Sequence, residues 1–64
     1  MNLQEYDVVR LRRPSPEHQL AEGAVGAIVL VFEDPRAYEV EFCDNDGVTL
    51  ALVTLNEDDL EKVP

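Results

Sequence analysis

Residues 37–47, Ala-Tyr-Glu-Val-Glu-Phe-Cys-Asp-Asn-Asp-Gly, leave a chain few ways to fold. Apolar and acidic side chains alternate strictly, and a period of two belongs to a half-buried strand, not a helix. Tyr38, Val40 and Phe42 are then directed inward, and Glu39 and Glu41 outward. Asp-Asn-Asp-Gly is a hairpin signal, because Gly47 can take the positive φ that closes a short loop. The next run, Val-Thr-Leu-Ala-Leu-Val-Thr-Leu (48–55), is β-rich, with two threonines and no helix cap.

The rest of the chain reads the same way. Residues 6–13 form a first strand, with Val9 and Leu11 on one face and Val8, Arg10 and Arg12 on the other. Two prolines, a serine and a charged middle make 14–23 a long surface loop. Residues 24–32 are a second strand, and Pro35 suits the second position of the tight turn after it. Asn56 is a good N-cap for a single helical turn whose acidic residues complement the helix dipole, and 60–63 is a short final strand. No amphipathic stretch reaches the length of a normal helix. The fold class is all-β, and five short strands in one domain, 1–64, close most economically into a small barrel.

At 64 residues the chain buries only about 60% of its unfolded surface, which makes a thin core. Cys43 is the only cysteine, so no internal disulfide can reinforce it, and a reducing compartment is expected. No charged-then-apolar leader opens the sequence, and the longest apolar run is far below the ~20 residues of a membrane helix. These features give the expectation of a soluble, cytoplasmic protein. The net charge is −9, and residues 33–64 carry ten acids against Arg36 and Lys62. A surface of that sign repels phosphate backbones and draws in basic partners. With 45% apolar residues in a regular pattern, the chain is not of the disordered class.

The element order, with one 3₁₀ turn before the last strand, resembles the SH3-like barrel. Within that fold, Gly23-x-x-Gly26 running into Ile28-Val29, Tyr-Glu-Val-Glu-Phe with Asp-Gly after it, and Leu-Asn-Glu-Asp-Asp-Leu before the last strand resemble a family of small uncharacterised bacterial proteins, catalogued as a domain of unknown function. The glycine pair is more distantly similar to KOW-type barrels and to the small barrel that serves photosystem I as an accessory protein. The resemblance implies a five-stranded SH3-like barrel with a long first loop, and no established activity.

Candidate chemistry is sparse. His18 is the sole histidine and shares a proline-bounded loop with Ser15, a poor scaffold for a nucleophile and its base. Cys43 stands beside Glu41 and Asp44, the opposite of the electropositive surroundings that a reactive cysteine requires. Asp-Asn-Asp-Gly resembles the middle of a calcium loop, but alignment puts Phe42 and Val53 where ligands are required. One cysteine and one histidine do not make a zinc site. No catalytic residue, metal ligand or cofactor site is therefore expected, and the chain reads as a non-enzyme. Arg10, Arg12 and Arg13 could form a phosphate stripe for nucleic acid, yet fourteen acids oppose them. The aromatics are Tyr6, Phe32, Tyr38 and Phe42, and the alternation directs two of these inward, leaving little to stack bases upon. The arginines have a more ordinary role in pairing with the acidic second half. A proline-peptide groove lacks its aromatics, and Gly23-x-x-Gly26 serves as a sharp turn into the second strand.

One feature points to a partner. In 24–32, Ala27, Val29 and Val31 alternate with Ile28, Leu30 and Phe32, and a small barrel takes in only one set unless a bulge near Gly26 shifts the register. Either loop 14–22 folds over the other set, with Leu20 and Leu3, or that set meets another chain. The partner-binding residues expected on the second reading are Ile28, Leu30, Phe32, Glu39, Glu41, Asp44 and Asp46. The function this suggests is a small acidic protein-interaction module for a basic partner protein, antitoxin- or immunity-like in one version. The alternatives are an accessory subunit of a larger complex, a homo-oligomer, and a nucleic-acid binder using Arg10, Arg12 and Arg13.

Overall fold

The computed structural model describes residues 3–64. Five strands form: β1 (Val8–Leu11), β2 (Val25–Phe32), β3 (Ala37–Cys43), β4 (Thr49–Leu55) and β5 (Leu60–Lys62). They make one antiparallel sheet in the order β4-β3-β2-β1-β5. The expected single turn before the last strand is a 3₁₀ helix, η2 (Glu57–Asp59), with Asn56 at its N-cap. Its first turn is closed by the Asp59 carboxylate, which accepts the Asn56 N–H at 3.2 Å. A second 3₁₀ turn, η1 (Pro16–His18), interrupts the loop between β1 and β2. No helix among the described residues is long and apolar enough to cross a membrane.

The inward faces of all five strands contribute to one core: Val9 and Leu11 from β1, Ile28 from β2, Tyr38, Val40 and Phe42 from β3, Val53 from β4, and Leu60 from β5. A sheet that surrounds a single cluster this way must coil, which its right-handed twist provides. Leu3 and Leu20, from the N-terminal segment and the first loop, are buried in the same cluster. They enter the core and leave the outward apolar set bare, so the loop does not cover that set.

The bulge is real but displaced. Pairing of β2 with β3 shifts between Ile28 and Leu30, not near Gly26. Ile28 is fully buried while Leu30 and Phe32 are exposed, and Val31 packs against the core. The expectation that Ile28 shares an outward face with Leu30 and Phe32 is thereby corrected: one extra residue, Val29, flips the strand's faces half-way along. Gly26 has a different purpose from the turn expected of it. A Cβ there would stand 2.7 Å from the Glu41 carbonyl oxygen and 2.9 Å from side-chain atoms of Phe42 and Val40. Gly23 and Gly47 do take positive φ, +88° and +81°, as turns require.

Candidate functional site

Register fixes what the outer face of the sheet presents. Val8, Ala27, Glu41 and Leu52 are successive neighbours in a row across β1, β2, β3 and β4. Leu30, Glu39 and Thr54 form a second row across β2, β3 and β4. Side chains opposite one another in such rows lie in contact. Their carboxylates are held in place: Thr54 Oγ1 donates to Glu39 and Thr49 Oγ1 to Glu41, each at 2.6 Å. Around them Leu50 is 59% exposed, Leu52 55%, Leu30 46% and Phe32 40%. Scattered exposed leucines are ordinary, but here Leu30 and Phe32 on β2 and Leu50 and Leu52 on β4 flank the two glutamates of β3 on one face, a grouping that suits a contact surface. Between β1 and β3 the face dips into a shallow depression of about 250 Å³, lined by Val8, Val25, Gly26, Ala27, Glu41 and Cys43.

The cations stand at the margin of this face, where Arg10 of β1 lies opposite Val25. β2, β3 and β4 contain no lysine or arginine. Arg10 pairs with Glu61 at 3.6 Å, Arg13 with Asp59 at 3.5 Å, Arg36 with Glu33 at 2.8 Å and Lys62 with Asp7 at 3.8 Å. Such exposed pairs contribute little stability, about 0–1 kcal/mol each, but they neutralise most of the positive charge locally. Arg36 also ties three segments together: its Nε donates to the Tyr38 hydroxyl at 2.9 Å and its Nη2 to the Leu3 carbonyl at 2.8 Å. The hydrogen bond to Tyr38, with help from Glu33, holds its pKa above the usual arginine value against partial desolvation.

The other sequence candidates fall apart geometrically. Ser15 Oγ and His18 Nδ1 lie 2.9 Å apart within the first loop, in an exposed bond that spans one 3₁₀ turn. Among the described residues no carboxylate orients the other nitrogen of that ring. Asp44 at the β3–β4 hairpin accepts the N–H groups of Asp46 and Val48, both at 2.9 Å, so its Oδ1 is engaged by the turn. Among the described residues no group of three or more His, Cys, Asp or Glu is placed to hold a metal ion. A wider depression, about 620 Å³, collects Arg10, Arg12, Glu22 and Glu61 around Leu11 and Gly23. Two guanidinium groups there face two carboxylates, which leaves no net positive basin.

Of the residues expected at the site, the structure brings Leu30, Phe32, Glu39 and Glu41 to the outer side of the sheet. It sends Ile28 to the core, and it puts Asp44 and Asp46 at the hairpin tip. The same face also presents Val8, Val25, Cys43, Leu50 and Leu52, which are not among the residues expected there. The signal for the last two was present, since residues 48–55 are apolar on both faces.

A family model, domain of unknown function DUF4926, matches residues 5–62. The chain belongs to the DUF4926 family. The match spans all five strands of this DUF4926 domain and both 3₁₀ turns. No curated protein and no solved structure matches it.

Proposed function

We propose that this DUF4926 domain is an SH3-like barrel that works as a non-enzymatic, cytoplasmic protein-interaction module for a basic partner protein. The observation that carries the reading is the outer face of β2–β3–β4: Glu39 and Glu41 stand among exposed Leu30, Phe32, Leu50 and Leu52, with no cation on the three strands. Fixed carboxylates on the middle strand, with apolar side chains on either side of them, suit a surface of apolar side chains interleaved with lysine or arginine. The pairing of Arg10 and Arg13 with Glu61 and Asp59 supports this reading over nucleic-acid binding, because it diminishes the charge left for phosphates. An antitoxin-like role, in which the acidic half covers a partner's basic site, is the specific version we favour.

Capture of partners from source cells, compared between the native chain and Leu52→Lys, tests the reading. The native chain should retain a basic protein in stoichiometric amount, released by high salt, and the variant should lose it. Retention of nucleic acid instead, or of a protein held equally by both chains, would contradict it.

A further inference from the structure

The two edges of the sheet are treated differently. β5 is three residues long and carries Glu61 and Lys62, both in ion pairs with other elements. Short length and charge are how natural sheets keep an edge from pairing with another chain. β4 has neither protection. It runs for seven residues, Thr-Leu-Ala-Leu-Val-Thr-Leu, without charge, proline or glycine. Among the described residues, no backbone hydrogen bond ties β4 to any segment other than β3. A neutral, β-prone edge of this length is a template for strand addition.

Its charge environment indicates what the template accepts. Asp44 and Asp46 precede β4 and Glu57 and Asp58 follow it, and residues 37–61 contain no lysine or arginine. A second copy pairing through β4 would bring acidic ends against acidic ends, whether the strands ran parallel or antiparallel. We propose that the β4 edge takes up an extended segment of the basic partner, an apolar run of about seven residues with lysine or arginine at both ends. The pairing rests on the reading of the domain as a binder of a basic protein, and adds the strand by which it is gripped. Main-chain hydrogen bonds then supply affinity, while the flanking cations select the occupant over a second copy.

The test titrates the full ¹⁵N-labelled chain with a synthetic peptide whose seven-residue Thr/Val/Ile centre carries two lysines at each end. One twin carries glutamates at the ends, and another is N-methylated throughout the centre. The lysine peptide should slow amide exchange at alternate residues within 49–55 and leave 60–62 unchanged. Each twin should bind about tenfold more weakly or worse. Equal binding of the N-methylated twin would overturn strand addition while leaving the basic-partner reading intact. Equal binding of the glutamate twin, or no binding of the lysine peptide at millimolar concentration, would overturn the proposal. So would a dimer with protected β4 amides in the absence of peptide, since the occupant would then be a second copy. Failure of the underlying reading shows separately, as the absence of a basic protein from the capture experiment.

Discussion

Single residues decide where the strands of this small sheet can turn and how closely they can approach. Gly23 and Gly26 look alike in sequence, and the structure needs glycine at each for a different reason. Gly23 needs its backbone freedom, with φ at +88° and no atom near the absent Cβ. Gly26 needs space, because the neighbouring backbone of β3 lies where its Cβ would be. The obstructing Glu41 carbonyl belongs to a ladder and cannot swing aside as a side-chain tip could. Gly26→Ala should therefore destabilise the domain by about 2–3 kcal/mol, the upper part of the overpacking range. In a chain of this size that corresponds to a fall of roughly 10 °C or more in melting temperature. A change of only a degree or two would mean that β2 and β3 are not so close at that point.

At the level of elements, the bulge at Val29 turns a uniform apolar run into two half-strands with opposite faces. Ile28→Ala should cost about 2–5 kcal/mol, as for a buried aliphatic side chain, whereas Leu30→Lys should stay within about 0.5 kcal/mol of the native chain. Circular dichroism melting of the two variants reads the difference directly. A large loss at Leu30 would put that residue in the core and remove it from the candidate surface. How legible these elements are in sequence depends on polar markers. Glu39 and Glu41 fix the faces of β3, because a one-residue slip would bury both. Residues 24–32 carry no such marker, so alternation alone cannot locate a bulge or choose which aliphatic side chains are inside. The same ambiguity hides the contribution of Leu50 and Leu52. Leu3 and Leu20 have their destination set by chain path, which periodicity does not encode. The hairpin after β3 and the single turn before β5 were legible, because Gly47, Asn56 and the acids around them act locally, whereas Pro35 follows a cis bond and so does not take the second turn position expected of it.

Over the whole molecule, charge and apolar surface are sorted by strand. The cations sit on β1, β5 and the loops, most of them paired, while β2, β3 and β4 offer carboxylates and leucines together. A core this thin leaves little stability to spare, so uncovered aliphatic surface on the longest strands is an expense best explained by an occupant. Cys43, the single thiol, lies exposed in the depression on that same face, beside Val25, Ala27 and Glu41. It reports on the face without any substitution. The most direct test of this surface is the rate at which iodoacetamide alkylates Cys43, measured on the free chain and on its complex with the captured basic protein. Alkylation should slow about tenfold or more in the complex, as for a side chain enclosed in an interface, and high salt should reverse the slowing. An unchanged rate in a complex shown to be intact would mean that the partner binds elsewhere, and that the outer face of β2–β3–β4 is not the interaction surface.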